Sequence, residues 1–138
     1  MSTPRPPITL STLDLERLEA LLEQPANAAH PGAAGLREEL DRADVLPPAQ
    51  MPADVVTMNS QVSCVDTASG TRHTFTLVYP ERADRDAGRV SVLAPVGTAL
   101  LGLRTGDRIE WPGPGGRTLS LQVDAIDYQP EASGDLHR

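Results

Sequence analysis

Two hydrophobic periods divide this chain. In LSTLDLERLEALLEQP, residues 10–25, Leu15, Leu18 and Leu22 recur at intervals of three and four, the spacing of an apolar stripe along a helix. Ser11 is placed to cap that helix, Asp14 falls at its third position, and Leu10 and Leu15 suit a hydrophobic staple. Pro25 ends it. In GAAGLREELDRADVL, residues 32–46, Leu36, Leu40 and Ala43 repeat the stripe. Pro31 suits the first position of this second helix, while Gly35 loosens its first turn by up to about 1 kcal/mol relative to alanine. Two narrow stripes joined by the short PANAAHPGAA turn predict an antiparallel, coiled-coil-like helical hairpin.

From residue 55 the period becomes two. VVTMNSQVSCVD sets Val56, Met58, Val62 and Cys64 on one strand face, with Ser60 as a polar interruption. TASG turns the chain into TRHTFTLVYP, where Phe75, Leu77 and Tyr79 alternate with polar neighbours. ERADRDAGR is a charged turn, VSVLAP a short strand, and VGTALLGL a short helix stopped at Gly102, with Leu103 completing a left-handed C-cap pattern. RIEWP and RTLSLQVDAIDYQP flank a two-glycine hairpin turn at Gly115 and Gly116. The expectation is an α+β unit of about five largely antiparallel strands with one short helix closing a sheet face. The proline-punctuated PPAQMPAD stretch, residues 47–54, reads as the boundary. The predicted organisation is a flexible N-terminus (1–10), a hairpin (11–46), a linker (47–52) and a sheet domain (53–138) able to fold by itself.

Composition narrows the function. The 138 residues carry a net charge of −7, and residues 12–44 hold eight acids against three arginines. Acidity on this scale argues against wrapping bare DNA, which needs a basic footprint. A single cysteine rules out an internal disulfide framework and fits a reducing cytosol. No signal peptide or apolar run of spanning length is legible, so a soluble cytoplasmic protein is expected.

Each candidate for chemistry has a plainer reading. Cys64 lies on the apolar strand face with no base beside it, which predicts a buried, inert thiol. His30, His73 and His137 lack metal-ligand spacing. Asp84-x-Asp86-x-Gly88 lacks the closing glutamate of a calcium loop and reads as a solvated turn. Gly113, Gly115 and Gly116 sit between strands rather than before a helix, so they make a turn and not a phosphate cradle. Glu16, Glu19, Glu23, Glu38, Glu39 and Asp41 form a solvated helix face, or else an acidic prong for a basic channel on a partner.

LLEQPA, ELDRA, MPADVVTMNSQV, TLVYP, APVGTALLGLRTGD and YQPEA run from about residue 8 to residue 135. In these stretches the chain resembles the Rnk family, associated with regulation of nucleoside diphosphate kinase, within the superfamily of Gre transcript-cleavage factors. The resemblance implies an FKBP-like sheet domain and binding of RNA polymerase at its secondary channel. Gre factors contact polymerase largely through an Asp-Ser-Pro segment before the short helix. Leu93, Ala94 and Pro95 stand there in this chain, followed by Val96, and only the proline matches. Gre hairpin tips carry acids that help hold a catalytic magnesium. Here the tip, with Gln24, Pro25, Asn27 and His30, has no acid between Glu23 and Glu38. A helix of 12 or 13 residues reaches only about 18–20 Å, so occupancy of the channel without stimulated cleavage is expected. No catalytic residue, metal or cofactor is implied; the expected protein is a monomer with no membrane contact and no sequence-specific DNA binding. The rival readings are a direct regulator of the kinase and, on the fold alone, a prolyl isomerase. The latter needs an aromatic floor, for which Phe75, Tyr79, Trp111 and Tyr128 are the available residues.

Overall fold

The computed structural model describes residues 7–112 and 116–134; the turn expected at Gly113 and Gly115, and His137, lie outside them. Strand β1 (Thr9–Ser11) leads into helix α1 (Thr12–Glu23), and one turn of helix, α2 (Pro25–Ala28), precedes α3 (Ala33–Arg42) and strand β2 (Asp44–Leu46). Then come β3 (Gln61–Asp66), β4 (Arg72–Val78), β5 (Arg89–Ser91), α4 (Pro95–Leu100), β6 (Arg108–Pro112) and β7 (Thr118–Tyr128). The architecture is α+β, as the change of period predicted. The last five strands form one sheet in the order β5-β4-β3-β7-β6, antiparallel throughout except for the parallel β4–β5 pair.

Local signals account for most of these boundaries. The Ser11 hydroxyl accepts from the Asp14 backbone N–H at 3.0 Å, capping α1 as its sequence predicts. Gly102 stands at φ +79 just past α4, but Leu101 has already left the helical conformation at ψ 124 and the Gly102 N–H donates to the Val56 carbonyl at 2.8 Å, so the glycine completes a turn in place of the left-handed cap expected there. Strand β3 starts six residues later than the alternating pattern suggested. Asn59 takes a left-handed φ of 66, and the Ser60 hydroxyl accepts from the Thr57 N–H at 3.0 Å. Val56 and Met58 are therefore buried from a turn, not from a strand face.

The N-terminus departs from expectation. Residues 7–10 do not lie loose: β1 pairs in parallel with β2, Ile8 is 2% exposed and Leu10 is fully buried. The cause lies far along the chain. A Cβ on Gly102 would stand 2.6 Å from the Ile8 Cβ, and the Gly102 carbonyl accepts from the Thr9 N–H at 3.2 Å. The glycine that follows α4 also makes room for β1. The hairpin region correspondingly ends in strand β2 rather than in helix.

The helices do not stand apart from the sheet. Leu18, Leu22, Leu36 and Leu40 share one apolar cluster with Val62, Leu77, Leu100, Ile109 and Val123. Trp111 of β6 packs its ring edge on Gly35, where a Cβ would stand 3.3 Å from the indole. The glycine that weakens α3 thus seats it against the sheet edge. The proline stretch carries no gap between separate cores. Met51 is buried, and the Gln129 amide donates to the carbonyls of Pro52 and Val55, both at 2.7 Å.

Candidate functional site

The corner before α4 is built tightly. Leu93 donates its N–H to the Ser91 hydroxyl at 3.1 Å, and the Thr98 hydroxyl lies 2.6 Å from the Val92 carbonyl and 3.1 Å from that of Ala94. A Cβ at Gly97 would fall 2.0 Å from the Ser91 carbonyl oxygen, so only glycine lets the helix sit this close. Residues Gly97, Thr98, Ala99 and Leu100 are consequently buried. Of the four residues expected to face a partner, Leu93 is 1% exposed and belongs to the core. Ala94, Pro95 and Val96 remain half-buried at the surface. Ala94 is the helix N-cap, extended and without a side-chain cap.

The hairpin turn touches this corner. A Cβ on Gly32 would lie 2.0 Å from the Leu93 carbonyl oxygen, so the turn backbone rests directly on it. Gln24, Pro25 and His30 are exposed. Asn27 is half-buried and serves the backbone, donating to the Leu21 carbonyl at 3.1 Å and to the Gln24 side chain at 3.0 Å. The His30 Nδ1 accepts from the Gly32 N–H at 2.9 Å. Arg37 reaches from α3 to the Leu22 carbonyl at 3.2 Å, tying the two helices together. The tip is a hydrogen-bonded turn without a carboxylate.

The acidic face is not wholly solvated. Glu16, Glu19, Glu23, Glu38 and Asp41 are exposed, but Glu39 is 1% exposed and ion-paired with Arg42. Asp14 is also buried, at 3% exposure, and its Oδ2 accepts from the Met58 backbone N–H at 3.1 Å. That bond joins α1 to the turn before β3. Burial, reinforced by the Glu131 carboxylate and opposed by the Met58 hydrogen bond and by Arg17, lifts its pKa from 3.8 to about 7. Glu131 in turn accepts from the Thr57 hydroxyl at 2.7 Å. Above this seam lies a groove of about 500 Å³ with Arg17 and Gln24 on one wall and Asn59, Tyr79 and Arg82 on the other. The Tyr79 phenol is lifted to about 12, mainly by burial and then by Asp14. Helical spacing alone points to none of these pairings. An acid between Ser11 and Leu15 reads as a first-turn helix residue, and its partner lies 44 residues away.

The remaining candidates separate. Cys64 is buried, with its pKa raised to about 11 by burial and then by Asp124 and Asp66, so its thiolate is scarce at neutral pH. His73 stacks on Phe75 with ring centres 5.3 Å apart. The Asp84 carboxylate accepts from the Asp86 N–H at 3.1 Å and from the Ala87 N–H at 3.4 Å, capping its own exposed turn. The described residues bring no three of His, Cys, Asp and Glu together as a metal site, and none of their helices is long and apolar enough to cross a membrane. The aromatics are not gathered into a floor. Trp111 lies under α3, Phe75 stacks on His73, and Tyr79 lines the seam groove.

Comparison with known proteins bears on both halves. Residues 51–128 match the family described as transcription elongation factor, GreA/GreB, C-term, and residues 6–46 match the Rnk N-terminus. The chain is 51% identical to the regulator of nucleoside diphosphate kinase of Escherichia coli K12, over 95% of this chain and 96% of that one. It is 38% identical to the transcription elongation factor GreA of Rhodospirillum rubrum, over 59% of this chain and 52% of that one. A solved GreA/GreB transcription elongation factor from Nitrosomonas europaea superposes with a TM-score of 0.72 at 47% identity, over 90% of this chain and 100% of that one.

Proposed function

From a chain that belongs to the Rnk family and carries the GreA/GreB C-terminal unit, we propose an RNA polymerase-binding regulator. It occupies the secondary channel in the manner of a Gre factor and does not stimulate transcript cleavage. The observation that carries the second half is the hairpin tip. No Asp or Glu lies between Glu23 and Glu38, so the tip offers nothing to hold a catalytic metal. The 12 residues of α1 span about 18 Å, a short reach for a coiled-coil-type prong. The partner-facing surface is Ala94, Pro95 and Val96 on the FKBP-like sheet unit, with the hairpin turn beside it. The exposed acids of α1 and α3 complement a basic channel wall. The effect on nucleoside diphosphate kinase runs through its expression, in the cytoplasm, and not through contact with the enzyme.

The test is displacement of a labelled Gre factor from polymerase, with transcript cleavage followed in the same mixtures. Displacement with no faster cleavage of backtracked transcripts is expected; faster cleavage, or no displacement at saturating protein, refutes the reading. Ala94→Asp sharpens it. Aspartate is a favoured N-cap, so the fold should hold, while an unpaired charge in a small apolar contact should cost polymerase affinity at least tenfold. A stable Ala94→Asp variant that binds as well as the parent removes this patch from the interface. The purified chain should leave the activity of purified kinase unchanged; a direct change would favour the rival reading.

A further inference from the structure

The groove over the hairpin–sheet seam is separate from the α4 corner and shares only Gln24 of the hairpin tip with the reading above. At about 500 Å³ it falls in the size range of small-molecule pockets. Its lining is unusual for this chain. In a protein of net charge −7, its lining gathers two guanidiniums, Arg17 and Arg82, with one carboxylate, Glu81, while Asp14 lies beneath it within electrostatic reach of Arg17. The side-chain amides of Gln24 and Asn59 add N–H donors, and Ala20 and Leu21 supply an apolar strip.

Two further features mark the same wall. Asn59 is the one described non-glycine residue with a positive φ, at 66, and is held there by its N–H to the Leu77 carbonyl at 2.6 Å. Such conformations cost energy and concentrate at functional sites. The Tyr79 hydroxyl is buried beside the Arg17 guanidinium.

We propose that this groove binds a phosphorylated small molecule, its phosphate held by Arg17 and Arg82 and its body lying along Ala20 and Leu21. Guanidinium forks match phosphate oxygens with two parallel hydrogen bonds each. A phosphate monoester carries a charge of about −1.5 to −2 at pH 7, enough to engage both arginines despite Glu81 and Asp14. A single carboxylate brings half that charge and meets the same repulsion.

The test is calorimetric titration of the full chain, without polymerase, with adenosine 5′-monophosphate, adenosine, pyrophosphate and acetate as probes. The monophosphate and pyrophosphate should bind, adenosine and acetate at least tenfold more weakly. Arg82 is exposed, so Arg82→Ala should keep the parent's thermal midpoint and lose at least tenfold in monophosphate affinity. Asn59→Gly, which takes φ 66 without strain, should stay folded and lose affinity severalfold. No binding of either phosphate probe at 10 mM overturns the proposal. So does adenosine or acetate binding as tightly as the monophosphate, or Arg82→Ala leaving the affinity unchanged. Because polymerase is absent, these outcomes are independent of the polymerase assay.

Discussion

Replacing Asp14 by asparagine should flatten the pH dependence of stability. The carboxyl is 3% exposed, accepts one backbone hydrogen bond, and has a pKa raised from 3.8 to about 7. Below pH 3.8 it is protonated in the folded and unfolded chain alike. Between pH 3.8 and about 7 the unfolded chain gives up a proton that the folded chain keeps, so stability falls as pH rises. Above about pH 7 the loss is complete. A rise of this size, at 1.36 kcal/mol per unit, corresponds to about 4 kcal/mol. Asparagine keeps an oxygen for the Met58 N–H and cannot ionise. The stability of Asp14→Asn minus that of the parent should therefore grow by about 3–4 kcal/mol from pH 4 to pH 8. For a chain of this length that is roughly 10 °C in thermal midpoint. Urea unfolding of both proteins across this pH range measures the difference. Parallel profiles would refute the reasoning, as would a carboxyl titration by NMR that places Asp14 in the ordinary aspartate range.

Leu18→Ala should cost about 2–5 kcal/mol, because this fully buried helix residue belongs to the sheet's own core. The transitions seen by helix circular dichroism and by Trp111 fluorescence should coincide; separate transitions, or a loss under 1 kcal/mol, would mean that the helices fold as an appendage. Gly102→Ala should cost at least about 2 kcal/mol from the left-handed backbone and the collision with Ile8, and should strip hydrogen-exchange protection from the β1 amides. Gly116→Ala, at φ 76 with open space around it, should cost only about 1 kcal/mol, and equal losses at the two glycines would rule out the proposed packing of β1.

The sequence alone determined which elements form and, for the most part, where they stop. Leucines at three and four, Ser11 before them, Gly102 after the short helix and the alternation read from residue 55, which becomes strand only at residue 61, are local signals, and each is read within one turn of helix or one strand. Through the resemblance of its motifs, the chain also disclosed its family. What only the tertiary structure decided are relations between residues far apart. The N-terminal strand exists because Gly102 leaves space for Ile8, roughly 90 residues away along the chain. The hairpin lies on the sheet because Gly32 and Gly35 admit the Leu93 carbonyl and the Trp111 ring. Leu93, which the motif alone presents as a contact residue, is turned into the core, and Asp14, which reads only as a first-turn helix residue, accepts a hydrogen bond from the backbone of Met58. Periodicity records which side of a residue is apolar. It carries no information about which other surface will cover that side, and buried polar groups such as Asp14 and Tyr79 acquire their chemistry only from that cover.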